Sequence, residues 1–353
     1  MKLLFVNSSL SDGGSEKAMT LVANQMANLG HDVSMLLIRN KEVTYEPDSR
    51  IDVIQLSYTA KSKIGMLCQR LKLIRFYVKK ISPDCLITFM WDVNVMTLIA
   101  AMGLSVKKVV SERAYPGSPE RSVVSKIAPS IFYTFADHIV YQTNQASEFC
   151  PKRLKRKAVV IPNIVSVPPV KPFSGKRSKR VVSVGRLTRQ KNFTLLIQAF
   201  ALFSSCYEDY VLEIYGEGEQ RETLERFADS LGLSSKVRFC GFAKDVLERI
   251  NDASVFVLSS DYEGISNAMA EAMALGLPVV CTDCPVGGAS MMIQNGVNGI
   301  LVDVGDKNAL AAAMCDIAGN QEKSLGMSER SKEVVKRFSA ETVGKQWEGV
   351  LTK

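Results

Sequence analysis

Long apolar runs are missing from this 353-residue chain. Residues 98–104 form its most apolar stretch, far short of the roughly 18 uninterrupted apolar residues that a membrane-spanning helix needs. The opening Met1-Lys2-Leu3-Leu4-Phe5-Val6-Asn7 holds a single basic residue and a run too brief for a secretory signal. It reads as a first β-strand, and the protein is expected to be soluble and cytoplasmic. Low-complexity tracts are also absent, and a composition of 46% hydrophobic and 23% charged residues sets aside disordered and fibrous classes. Histidine is scarce. His31 follows a helix-capping glycine and His138 opens a strand, so both read as packing or surface residues, and no Ser–His or Cys–His motif accompanies them. The eight cysteines lack the regular spacing of a disulfide framework, which predicts reduced thiols. Cys281-Thr-Asp-Cys284 is formally a C-x-x-C, but a structural zinc site needs a second pair and there is none. No metal and no cofactor are expected.

What is present is an alternation. An apolar strand at residues 2–6 runs through Ser8-Ser9-Leu10-Ser11-Asp12-Gly13-Gly14 into a helix over residues 15–29, where Ala18, Leu21, Val22, Met26 and Leu29 share a face and Gly30 caps the end. A strand over 33–38 completes a βαβ unit, and such units imply a parallel sheet with right-handed crossovers. Apolar runs at 85–89, 108–111 and 138–141 continue it. Between 161 and 180 the character changes to Pro162, Pro168, Pro169, Pro172 and Gly175 with a basic string ending at Arg180, which reads as a linker. The scheme then restarts, with strands at 181–185, 211–215, 237–239, 254–258, 278–281 and 300–302. The fold class is α/β, two Rossmann-like domains facing each other across a cleft. The domain spans are 1–165, a linker at 166–180, 181–338, and a last helix at 339–353 free to pack back across the cleft. Ligands of open α/β sheets bind outside the carboxyl ends of the strands.

Three segments at such ends could carry chemistry. In Glu263-Gly264-Ile265-Ser266-Asn267, Ser266 is placed to cap a helix over 267–275 that carries Glu271. A loop carboxylate, the amides of Gly264, Ile265, Ser266 and Asn267, and a helix N-terminus together suit a sugar diphosphate, with Glu271 positioned for ribose hydroxyls. The competing reading is a pair of solvated glutamates near a helix start. In Gly185-Arg186-Leu187-Thr188-Arg189-Gln190-Lys191-Asn192, cations at a strand end could offset the charge of a departing diphosphate, or form an ordinary basic loop. Gly13 and Gly14 would let backbone approach a ligand closely, or make a tight turn. Gly216-Glu217-Gly218 lacks the third glycine of a dinucleotide fingerprint, so nicotinamide binding fits poorly. Trp91, Asp92 and Asn94, with Glu112 and Arg113, sit where they could line an acceptor pocket.

Taken jointly, Gly13-Gly14-Ser15-Glu16, Val184 through Asn192, Gly216-Glu217-Gly218, and Glu263 through Glu271 with Gly276-Leu277-Pro278 resemble glycosyltransferase family 4, of GT-B architecture, over nearly the whole chain. The resemblance implies retaining, metal-independent transfer from a nucleoside-diphosphate sugar, with UDP the commonest nucleotide. It implies Arg186 and Lys191 on the diphosphate, Glu271 on the ribose and Glu263 beside the donor sugar, so that Glu263, Arg186 and Lys191 form the catalytic set. It also implies saccharide or lipid-linked acceptors in bacterial surface polysaccharides such as O-antigen and capsule. Many relatives carry a first-domain histidine where this chain reads Ser111-Glu112-Arg113, which leaves the acceptor side open.

Charge is uneven. Residues 1–170 hold 22 Lys and Arg against 13 Asp and Glu, a net of +9, while the rest is −1. Residues 61–80 carry seven basic residues and no acid, with Ile64, Leu67, Cys68, Leu71, Ile74 and Val78 on one helical stripe. They read as a peripheral contact with anionic membrane, or as a helix facing its own sheet. A sugar-nucleotide epimerase would use the same donor site but needs acid–base residues over the sugar. A nucleic-acid-binding protein would use the basic half, yet aromatic platforms are nearly absent there, and no nucleic-acid partner is expected.

Overall fold

The computed structural model describes every residue except Asp12, Pro119, Glu120, Val167, Pro168, Pro169, Pro172 and Lys353. The chain forms two compact units, Met1–Ile164 with Ser339–Lys353, and Val165–Phe338.

The first unit holds strands β1 (Lys2–Asn7), β2 (Asp32–Leu37), β3 (Asp52–Gln55), β4 (Cys85–Phe89), β5 (Lys107–Glu112), β6 (His138–Tyr141) and β7 (Ala158–Val160). They pair in parallel in the order β3-β2-β1-β4-β5-β6-β7. Alternation along β1 sends Leu3 and Phe5 to one face, against Met19, Val22 and Met26 of the helix Gly14–Asn28. Leu4 and Val6 go to the other, against Ile74, Val78 and Val93. Both faces are covered, which is why the central strands read as nearly unbroken apolar runs.

The second unit contains β8 (Ser178–Val184), β9 (Val211–Tyr215), β10 (Val237–Gly241), β11 (Ala253–Leu258), β12 (Val279–Thr282) and β13 (Ile300–Val302). Their order is β10-β9-β8-β11-β12-β13, again parallel. Strand order reverses between β8 and β11. Val181, Val255 and Val257 pack on Phe200 and Phe203 on one face, and Val182 and Phe256 on Met269 and Met273 on the other.

Two short strands, β3 and β7, were not legible as strands. They lie at the two edges of the first sheet and none of their residues is fully buried; β3 carries two apolar residues between Asp52 and Gln55, and β7 is a three-residue piece between a basic segment and Pro162. Part of the expected linker, Pro168, Pro169 and Pro172, lies outside the described residues. The basic string at its end is not linker: β8 begins at Ser178. Arg177 donates to the carbonyls of Asn251, Ala253 and Gly276, Lys179 pairs with Asp209, and Arg180 pairs with Glu213 and Asp252. Acids gathered where a central strand meets solvent explain the string.

The final helix, Ala340–Thr352, belongs to the first unit and packs on the helix Gly14–Asn28. Trp347 is fully buried and stacks on Phe89 with ring centroids 5.7 Å apart. Lys107 Nζ donates to the carbonyls of Val350 at 2.7 Å and Leu351 at 3.0 Å, satisfying acceptors that a helix end leaves open. Trp347→Ala is expected to cost about 3–5 kcal/mol in urea unfolding of this unit, as for other buried aromatic truncations. A loss below about 1 kcal/mol would mean that the ring does not anchor the helix.

Candidate active site at the strand ends of the second unit

β8 and β11 are neighbours, and the loops leaving their carboxyl ends are laced together. After β8 the chain passes Gly185 and Arg186 into a 3-10 turn, Arg189–Lys191, and then Asn192, whose φ of 44° lies in the left-handed region. Asparagine tolerates that region better than most residues. Its side chain caps the helix Phe193–Cys206 by accepting from Leu195 N at 3.1 Å, and its Nδ2 donates to Asp261 Oδ1 at 2.7 Å on the facing loop. The Ser259 hydroxyl donates to the carbonyls of Lys191 and Asn192. Gln190 accepts at its carbonyl from Asp261 N and donates from Nε2 to the Tyr262 carbonyl, both at 2.9 Å.

This lacing delivers Lys191 Nζ into an ion pair with Glu263 Oε2, with side chains only 14% and 17% exposed. Glu263 is held from behind, its N–H donating to the Pro285 carbonyl at 2.7 Å. Ser266 caps the helix Asn267–Ala274 by accepting from Met269 N, so Glu263 lies on the loop and Glu271 in the second turn. Ile265 is buried, while Gly264, Asn267 and Glu271 remain partly exposed. Arg186 is exposed, and among the described residues no acid lies within ion-pair distance of its guanidinium.

Three glycines make the close approaches possible. A Cβ on Gly185 would stand 3.2 Å from Lys191 Cε, so the lysine stem lies over bare backbone. Gly216, with φ of 136°, brings its backbone against the Gly185 carbonyl. A Cβ on Gly288 would fall 1.8 Å from the Gly264 carbonyl oxygen. Sequence reading passed over Pro285 and Gly288, and over Gln190, Ser259 and Asp261. The available signal was a Pro-Val-Gly-Gly turn directly after an apolar strand.

The first-unit candidates divide. Gly13 has extended backbone at the start of the helix Gly14–Asn28, and the Glu16 carboxylate folds back over it, within 2.0 Å of where a Cβ would stand. Trp91 and Asp92 occupy the first turn of the helix Trp91–Ala100 and are partly exposed. Asn94 is fully buried: it accepts from Thr88 Oγ1 at 2.5 Å and donates to the Ser111 carbonyl and the Tyr133 hydroxyl, both at 2.9 Å. Glu112 is buried too, receiving Tyr133 OH at 2.9 Å and Arg121 Nη2 at 2.7 Å. Burial pushes its carboxyl up, and Arg121 pulls it back. Asn94 and Glu112 therefore hold this end of the sheet together rather than face outward. Arg113 lies 4.4 Å from the Phe89 ring centroid and bonds Asn163 at 2.6 Å, and burial lowers its pKa to about 9.

Cys281 and Cys284 are buried core residues, and burial pushes the Cys284 thiol up to about 12. Among the described residues, no group of three or more His, Cys, Asp or Glu side chains could hold a metal ion. No helix among them is long and apolar enough to cross a membrane.

Two parallel α/β units of this kind share the GT-B fold of solved two-domain structures. Residues 169–334, within the second unit, match the family described as Glycosyl transferases group 1. Along 98% of its length it is 26% identical to an uncharacterized glycosyltransferase of Haemophilus influenzae, covering 98% of that protein. It is 25% identical, over 98% of the chain and 97% of the relative, to a Campylobacter jejuni alpha-1,4-N-acetyl-D-galactosaminyltransferase named for a PP-undecaprenol-linked saccharide. The crystal structure of Anabaena HepE in complex with UDP and glucose superposes with a TM-score of 0.85 at 19% identity, covering 100% of both chains.

Gly288→Ala is expected to cost about 1–3 kcal/mol in urea unfolding, because rigid backbone rather than a pliable side chain stands in the way of the added methyl. Unchanged stability would show that the loop yields.

Proposed function

We propose that this protein is a retaining, metal-independent glycosyltransferase that moves a sugar from a UDP-sugar to a saccharide or lipid-linked saccharide in bacterial surface-glycan synthesis. It would work in the cytoplasm, peripherally on the inner face of the cell membrane. The observation that carries the reading is the Lys191–Glu263 pair at the reversal between β8 and β11, beside the capped helix start at Ser266. Relatives named for lipopolysaccharide core and undecaprenol-linked glycans support the acceptor class, and UDP in HepE supports the nucleotide.

Departure of a nucleoside diphosphate builds negative charge, and fixed cations stabilise it most where it grows. Arg186 is uncommitted and free to meet the diphosphate. Lys191 in the unliganded protein is neutralised by Glu263, and a bound diphosphate draws the ammonium toward its oxygens. Glu263, released in part, is left beside the donor sugar. The amides of Gly264, Ile265, Ser266 and Asn267 donate to phosphate oxygens, Gly185 keeps the approach open, and Glu271 accepts from the ribose hydroxyls. Gly13 and Gly14 contribute backbone to the donor once the Glu16 carboxylate swings away. Attack comes from the face the leaving group occupies, so the anomeric configuration is retained, and the departing phosphate takes the acceptor proton. Trp91, Asp92 and Arg113 serve the acceptor, with Asn94 and Glu112 supporting them through the fold.

Interactions stronger in the transition state act on turnover, whereas uniform binding acts on the Michaelis constant. Arg186→Ala, Lys191→Ala and Glu263→Gln should therefore lower kcat by about 100-fold, in the range of losing one preorganised charge partner. Glu271→Gln should chiefly raise the donor KM. Steady-state kinetics of folded variants with UDP-sugars, and NMR of the product anomer, check this. Parent rates for both Lys191→Ala and Glu263→Gln would remove the assigned site. Turnover should also survive EDTA, and loss restored by a divalent ion would overturn the metal-independent step.

A further inference from the structure

The helix Val123–Phe132 of the first unit is turned inside out. It buries Ser125 and Pro129, and exposes Val123 at 71%, Val124 at 67%, and Ile127 and Ile131 at 50% each. Those four positions follow i, i+1, i+4 and i+8, one stripe of a helix, and Phe135 extends it into the next turn. An ordinary surface helix points such a stripe at its own sheet. Here it points at solvent.

A basic rim is fastened to the same helix. The 3-10 segment Lys152–Lys157 is basic at every position but Leu154. Arg153 donates to the Ser130 carbonyl, and Lys157 Nζ donates to the carbonyls of Thr134 at 2.8 Å and Ala136 at 2.7 Å, which ties the segment to the carbonyl end of the stripe. Lys126, Lys152 and Arg156 are exposed. Residues 121–157 hold seven basic residues against two acids, Asp137 and Glu148.

We propose that this face docks on an anionic lipid bilayer, the stripe entering the headgroup boundary and the basic rim meeting lipid phosphates. An apolar stripe beside clustered lysine and arginine fits that occupant on both counts, burial and charge. A soluble protein partner would need no cationic rim of one sign. The helix Lys63–Ile81, basic as it is, fits less well. It exposes Ile64, Leu67 and Phe76, but Ile74 and Val78 in the middle of its stripe are buried against the sheet, and Arg75 is spent on the carbonyls of Ala100 and Met102 at 2.8 and 2.7 Å. The proposal names a surface for the peripheral membrane contact proposed above. It is read without any sugar transfer, so its failure leaves the glycosyltransferase reading standing.

The test is co-sedimentation of the full chain with vesicles of phosphatidylcholine alone and of phosphatidylcholine with phosphatidylglycerol, at low and high salt. The parent should bind only the anionic vesicles and release in salt. Val124→Asp with Ile127→Asp, and separately Lys152→Gln with Arg156→Gln, should each lower the partition coefficient at least about tenfold. Lys72→Gln with Lys79→Gln and Lys80→Gln should stay within about twofold. Thermal melts confirm folding, and the lysine–arginine variant decides the matter if the aspartates disturb the helix. No binding by the parent, equal binding to neutral vesicles, or unchanged binding by the folded variants would overturn the proposal. So would self-association that Ile127→Asp abolishes in a protein that ignores vesicles.

Discussion

The second unit is organised around one ion pair. Lys191 and Glu263 lie on the loops that leave adjacent strands, and the pair joins those loops. A mostly buried pair costs desolvation that its Coulomb attraction repays only with good geometry and further hydrogen bonds. Those bonds are present in the surrounding loops: the Asn192–Asp261 link, the Ser259 hydroxyl on two carbonyls, and the Pro285 carbonyl behind Glu263. Most of them fix the loops rather than the charged groups, and Gln190 Nε2 adds a long 3.4 Å contact to Glu263 Oε2. The pair thus stays polarised and open to exchange, with a rigid frame around it. Such a frame is consistent with the proposed donor site, where preorganised groups stabilise charge without reorganising.

Close approach of the loops around the pair also constrains the backbone. The lysine stem crossing residue 185 leaves little room for a side chain there, and the Gly185 carbonyl pressed against the neighbouring loop demands glycine at 216. The floor beneath Glu263 demands glycine at 288. None of these positions contacts the pair through a side chain. They are set by how closely three loops must converge where strand order reverses.

Much of this was legible in the chain. Strands buried on both faces announce themselves as apolar runs, so β4, β6 and β9 were read to the residue, and Ser266 gave the helix start that separates Glu263 from Glu271. Edge strands announce themselves less reliably: β10 and β13 were read, whereas β3 and β7, short and without a fully buried residue, were missed. Charge was the least readable property. Lys176 through Arg180 look like linker until the facing acids are known, and those acids come from β9 and from the turns around Asp209 and Asp252, 29 or more residues away along the chain. Lacing between loops is equally invisible, because Gln190, Ser259 and Asp261 bond to groups of a segment about 70 residues away along the chain.

Asn94 and Glu112 show the same lesson from the opposite side. Polar residues at the carboxyl ends of strands invite a functional reading, yet here Thr88, Asn94, Tyr133, Glu112 and Arg121 form one continuous chain of hydrogen bonds inside the first unit. A buried carboxylate must be paired or neutralised. Glu112 is paired by an arginine nine residues along and a tyrosine 21 residues along, and those partners, rather than a ligand, account for its presence. Arg121 and Tyr133 bracket the inverted helix Val123–Phe132 at its two ends. The buried network therefore clamps the helix from both sides, which lets it keep its apolar stripe turned outward without relying on that stripe for its own attachment.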